Sequence, residues 1–190
     1  MSARVLWRVL GLVLLAGAAH VLADEPSGVG PSPHAVEAIQ LLSSTDPYQR
    51  QMAFLHLEAL REPATIETVK TYLDNPDPQM RAYSVRALAA IQGVPAAPRL
   101  LEVLKHDRHP DVRRAVLLGL EPLQAGDPTI LPAFLTALTD RDTEVRMTAV
   151  DIVSRINEPR AREAFLLRNK REHNRNVRRV LALAMKRLGL

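Results

Sequence analysis

The chain has 190 residues, no cysteine, 47% apolar residues and a formal net charge of +4. Without a thiol, disulfides, Cys-based zinc sites, thiolate catalysis and covalent haem attachment are all excluded, so a folded part must be held by its core alone. That core is aliphatic: there are three Phe and three Tyr, and the one Trp (Trp7) lies in the N-terminal segment, which leaves the Leu, Val, Ile and Ala that stacked helices use.

Residues 1–23 open with Arg4 and Arg8, continue through an apolar run at 9–19, and close on Val21-Leu22-Ala23 before Asp24. This is the three-part layout of a secretory signal peptide, with cleavage expected between Ala23 and Asp24. The alternative is an uncleaved inner-membrane anchor. Residues 9–23 contain His20 and fall short of the roughly 20 apolar residues that span a bilayer. The two arginines are not adjacent and no cysteine follows, so the general export route is expected, without a lipid anchor. The expected location is the periplasm or beyond. Residues 24–33, with three prolines and two glycines, read as a flexible linker.

From residue 34 onward an arginine recurs at Arg50, Arg81, Arg113, Arg146 and Arg178, at spacings of 31, 32, 33 and 32. One position before it stand Gln49, Met80, Val112, Val145 and Val177. Four after it come Phe54, Val85, Leu117, Val150 and Ala182, and seven after it Leu57, Leu88, Leu120, Val153 and Met185. Ten after it are Leu60, Ile91, Leu123, Ile156 and Leu188. These offsets share one side of an α-helix. Asp46, Asp77, Asp142 and Asn174, four positions ahead of the arginine, supply N-cap acceptors. The third unit has His109 there, and its cap is expected to be weaker unless the imidazole substitutes.

A first helix precedes each of these. Prolines 33, 63, 95, 128 and 159 stand at its entrance, and six residues on come Ile39, Val69, Leu101, Phe134 and Phe165. Gly93 and Gly126 suit helix ends, Asp127-Pro128 repeats the cap-plus-proline device, and Pro122 and Pro132 should bend or shorten their helices. No window alternates with a period of two, so no sheet is expected. The chain therefore predicts an all-α array of five helix pairs, at about 34–62, 63–94, 95–126, 127–158 and 159–190, each too small to bury both helices without its neighbours.

The pattern Leu73-Asp74-x-x-Asp77-Pro78-x-x-Arg81-x-x-Ser84-Val85-x-x-Leu88 resembles a HEAT repeat. The unit length and the Asp-Pro-x-x-Arg turn are most similar to the short bacterial type found in phycobilisome lyases. The resemblance implies a right-handed α-solenoid, and it implies that turn acids bond the repeated arginines within and between units. It says little about function. A cation in the first turn of a helix opposes the macrodipole, so its recurrence calls for such partners. Asp74, Asp77, Asp107, Asp111, Asp140 and Asp142 are the candidates, and the arginines read as struts.

Chemistry is sparse. Residues 105–111 (KHDRHPD) are the one dense group of possible metal ligands, and Lys105 and Arg108 sit among them, so the group reads as a solvated turn. HEAT-like deoxyhypusine hydroxylases hold iron through His-Glu steps; this chain has only the reverse, Glu172-His173. No serine sits in a nucleophile elbow and no Gly-rich phosphate loop is present. Neither catalysis, a metal nor a cofactor is expected.

Charge is uneven. Residues 24–158 carry 13 Lys/Arg against 19 Asp/Glu, whereas 159–190 carry 10 against 2. Arg171, Arg175, Arg179, Lys186 and Arg187 form a candidate basic patch for an acidic protein or an anionic membrane surface. Nucleic acid is not expected, because export removes the chain from it and Phe165 is the segment's only aromatic. The expected function is a non-enzymatic scaffold that holds a macromolecule along its concave side, through residues such as Gln51, Glu58, Arg86, Arg114, Glu121, Asp151, Arg179 and Lys186. The alternative is an accessory subunit of an enzyme or lyase whose active site another chain completes. Protein recovered from the periplasm or medium should begin at Asp24 by intact-mass measurement; retention of residues 1–23 would make the segment an anchor.

Overall fold

The computed structural model of the protein describes residues 30–156 and 158–190. The expected export signal, and the linker as far as residue 29, lie outside the described residues. Within them the chain forms ten α-helices in five pairs and no strand. The pairs are α1 (Pro33–Leu41) with α2 (Pro47–Leu60), α3 (Ile66–Thr71) with α4 (Pro78–Gln92), and α5 (Ala97–His106) with α6 (Pro110–Leu120). They continue as α7 (Ile130–Ala137) with α8 (Thr143–Val153), and α9 (Pro159–Arg171) with α10 (Arg175–Arg187).

The second helices start where the caps predict. Asp46, Asp77, Asp142 and Asn174 each accept a backbone N–H two residues on, from Tyr48, Gln79, Glu144 and Asn176, at 2.9 Å. In the third unit the His109 imidazole does substitute, taking the Asp111 N–H at a longer 3.3 Å. The predicted stripe is buried at most of its first three offsets, while the residues ten after the arginine, and Met185, are half-buried against the core. Gln49 is exposed, and in α10 Leu181 and Ala184 turn inward while Ala182 faces solvent. The sequence stripe was also too narrow: Ala87, Ile152 and Ala184, six after the arginine, are buried as well. The reason is that a second helix packs against the second helices of both neighbouring units. At Gly119 the approach is so close that an added Cβ would lie 3.2 Å from Ala89 Cβ.

Successive second helices pack on one another along their lengths, whereas successive first helices scarcely touch. Elements on the shorter arc lie closer together, so the second helices line the concave side of the right-handed solenoid and the first helices the outer side. One continuous core runs between the two layers from Ala35 to Ala184 and includes all three phenylalanines, Phe54, Phe134 and Phe165.

The first helices depart from expectation more often. Ser32 and Pro33, read as the end of the linker, begin the fold. Ser32 caps α1 through the Ala35 N–H, and both its N–H and its hydroxyl reach the Glu62 carboxylate. The second unit's first helix is reduced to six residues between 3-10 turns at Pro63–Thr65 and Tyr72–Asp74. Its β-branched run of Ile66, Thr68, Val69 and Thr71 disfavours a longer one. Asp127 does accept the Thr129 N–H at 2.8 Å, but in a turn, and α7 starts only at Ile130. Pro132 therefore falls in the first turn of the eight-residue α7, where an N–H has no intrahelical acceptor to lose. Pro122 acts as expected: α6 stops at Leu120 and tightens into a 3-10 segment, Glu121–Gly126. Gly93 caps α4 with φ +64°, but Gly126 is required for closeness instead, since a Cβ there would sit 2.8 Å from Val94 Cγ2. The left-handed residue after α2 is Arg61, a cap with no glycine to announce it.

Candidate functional site

Three of the five repeated arginines make one and the same bond set. The Arg81 guanidinium donates to Asp107 in the next unit at 2.7 and 3.0 Å, and its remaining nitrogen reaches the carbonyls of Asn75 and Pro76 in its own turn. Arg113 repeats this with Asp140 at 2.8 and 2.7 Å and the carbonyls of Asp107 and Arg108. Arg146 does so with Glu172 at 3.0 and 3.3 Å and the carbonyls of Asp140 and Arg141. The acid always stands six residues before the next unit's arginine. From that place its side chain also accepts the N–H of the following unit's N-cap residue: His109, Asp142 or Asn174, at 2.8 Å in each case. One carboxylate thus closes two turns.

The sequence named the acids broadly. Asp107 and Asp140 are ladder partners; Asp77 and Asp142 are caps, Asp74 pairs with Arg99, and Asp111 pairs with Arg114. Glu172 was missed, although the constant six-residue offset was the signal that could have found it. The ladder is also shorter than five rungs. Arg50 reaches only the carbonyls of Ser44 and Thr45, because the residue at the acid's place in the next unit is Asn75. Among the described residues Arg178 meets no carboxylate either.

Glu172 is the most committed acid. It is 5% exposed and receives Arg146, Arg168 and the Asn174 N–H. Burial alone would push its carboxyl up; the Arg168 hydrogen bonds, the Asn174 N–H and Arg146 outweigh burial and hold it down at about 2. Burial opposes ionisation of Asp107 and Asp140 too, and Arg81 and Arg113, helped by the turn N–H groups, still keep both below the usual carboxylate range.

On the concave side five of the eight predicted residues are held in ion pairs, one pair among themselves and the rest with Asp111 and Arg155. Arg86 meets Glu58 at 3.3 Å, Arg114 meets Asp111 at 3.3 Å, and Arg155 bridges Glu121 and Asp151 at 2.7 Å each. Arg187 donates to the Ser154 hydroxyl at 3.0 Å. The basic patch is split: Arg171 ends the outer helix α9, while Arg175, Arg179, Lys186 and Arg187 belong to α10. Arg179 and Lys186 flank Leu183, which is 60% exposed. Among the described residues neither cation, nor Arg171 or Arg175, meets a carboxylate. In the 105–111 segment, Asp107 serves the ladder, His109 caps α6, and His106 turns to Glu102 at 3.3 Å. No group of three possible metal ligands converges among the described residues.

Residues 36–121 and 97–186 match the family model for HEAT repeats. The chain is similar to a solved structure of the complex of CpcE and CpcF of phycocyanin lyase from Nostoc. There it is 22% identical, with a TM-score of 0.66, over 80% of this chain and 97% of that one. It is also similar to YibA of Escherichia coli, at 16% identity and a TM-score of 0.62, over 99% of this chain and 73% of that one. No curated protein matches the sequence.

Two outcomes follow from the ladder. Arg113→Ala, which leaves Asp140 half-buried without its counterion, should cost about 2–4 kcal/mol. Asn75→Asp, which gives Arg50 the carboxylate that its neighbours have, should add roughly 0.5–1 kcal/mol. Urea unfolding curves check both. The ladder carboxylates also set an acid limit. Their folded pKa values lie below the unfolded ones, so their contribution is complete above the unfolded values, 3.8 for Asp and 4.5 for Glu, and is lost as pH falls through the folded values. Thermal melts of wild type and Glu172→Gln should therefore differ most at neutral pH and converge between pH 4.5 and about 2.

Proposed function

The chain belongs to the HEAT-repeat family, and from that premise we propose that it is an exported, non-enzymatic scaffold of the bacterial cell envelope, holding a protein partner along its concave side. The observation that carries this reading is the distribution of satisfied and unsatisfied charge there. In the earlier units the inward cations are consumed by Glu58, Asp111, Glu121 and Asp151. In the last unit Arg179 and Lys186 stand uncompensated on either side of exposed Leu183. A protruding leucine between two free cations fits an acidic partner with an apolar anchor, since charge complementarity steers the encounter and the apolar contact slows release. Arg175, one turn before Arg179 on α10, extends the same positive field.

A second reading is an accessory subunit of an enzyme or lyase completed by another chain. It is supported by the likeness of fold to a chain of the two-chain CpcE–CpcF lyase complex, which supports a protein partner in either case. Crosslinking in the native envelope, with mass-spectrometric identification, should recover an acidic protein. Recovery should drop steeply for Arg175→Gln, Arg179→Gln and Lys186→Gln combined and fall as salt rises toward physiological strength, where screening acts over about 8–10 Å. Equivalent neutralisation at Arg86 and Arg114 should matter less. Salt-insensitive recovery, or an unaffected triple variant, would make the last unit a solvated cap. Turnover that appears only when the partner is added would favour the second reading.

A further inference from the structure

The outer helix of the last unit has a surface that neither the core nor the ladder uses. Ala161 and Phe165 pack α9 onto the core, and Arg168 turns to Glu172. Leu166 and Leu167 point away from both, 45% and 51% exposed; no other first helix among the described residues leaves a leucine in solvent. Arg162 lies one turn before Leu166, Lys170 one turn after it, and Arg171 one turn after Leu167. All three are exposed, and among the described residues none meets a carboxylate. Glu163 is the one acid on this surface.

We propose that this face of α9 docks on an anionic lipid bilayer. The two leucines enter the upper edge of the acyl region, and Arg162, Lys170 and Arg171 meet lipid phosphates at headgroup depth. A bilayer supplies both of the chemistries this surface shows, hydrocarbon beneath a sheet of negative charge. The position decides against an acidic peptide. Peptides are held in grooves or added to sheet edges, whereas α9 is a ridge on the outer side of the solenoid, free to meet a plane. Attachment is peripheral, since no helix among the described residues is long and apolar enough to cross a membrane. The surface is separate from the concave one and stands whether or not a protein is held there.

Flotation with vesicles of phosphatidylcholine, alone or with phosphatidylglycerol, tests it on the full chain. Each cation near such a surface raises partition about fivefold, so Arg162→Gln, Lys170→Gln and Arg171→Gln together should lower binding to the anionic vesicles roughly a hundredfold. Leu166→Ser with Leu167→Ser should weaken binding to the same vesicles. Any contribution of the apolar N-terminal segment is equal in all variants and is measured on the neutral vesicles. Both sets of side chains are exposed, so melting temperatures should stay near wild type and report that the fold is kept. Unchanged flotation of either variant overturns the proposal. So does an equal loss from Arg179→Gln with Lys186→Gln, which would move the contact to α10. Loss of binding to soluble polyglutamate but not to vesicles would make the surface one for an acidic protein.

Discussion

A guanidinium buried in the first turn of a helix is opposed by the macrodipole and by desolvation, and neither is relieved inside its own unit. The turn carbonyls behind it satisfy one nitrogen. The other two wait for an acid 26 or 27 residues further on, in the unit still to be stacked. Each unit is therefore completed by the next. The ion pair adds little net stability compared with the aliphatic core beneath it, but it has direction, and a core of Leu, Val and Ala has almost none. A bidentate contact at 2.7–3.0 Å fixes how far one turn is rotated against its neighbour. That rotation, repeated, sets the path of the solenoid.

The ladder strengthens along the chain. At the acid's place stand Ser44, Asn75, Asp107, Asp140 and Glu172 in turn, two neutral residues and then three carboxylates. The early units are held by other means: Glu62 gathers Ser32 at the start of α1, and Phe54 meets the edge of Tyr72 at 5.4 Å. At the far end Glu172 holds two guanidiniums at once, which is why one of the two acids in the basic last unit adds nothing to the charge seen from outside.

How much of this could be read from residues alone follows from where each partner lies. The second helices were legible because the cap, the proline and the apolar offsets all sit within one turn or one helix face. The ladder was legible in kind, through the family resemblance, but not in register, because its acid belongs to another unit and six turn acids stood as equal candidates. The third helix was misjudged because a proline at an entrance says where a helix can begin, while β-branched residues decide how far it runs. The basic patch looked like one object because Arg171 and Arg179 are eight residues apart. Helical phase and the turn at Glu172–Asn174 place them on different helices of the unit.

That separation changes what the charge can do. Over residues 24–158 acids outnumber bases by six, and over 159–190 bases outnumber acids by eight. In the earlier units many of these charges cancel locally, in the ladder and across the concave side, so the excess at the surface is concentrated in the last helix pair. A solenoid with such a gradient carries a dipole along its axis, and an approaching anionic body is turned toward one end before any contact forms. At that end two surfaces of similar sign but different shape await it. One lines a concavity and carries a single leucine on α10; the other is an outer ridge with two adjacent leucines on α9. On the proposed reading shape then sorts what charge has gathered: a recessed surface would admit a protein, and a ridge would meet a plane. Nothing in the individual repeat demands this division. It arises because a helix pair has an inner and an outer member, and only in the last pair are the cations on both left uncompensated.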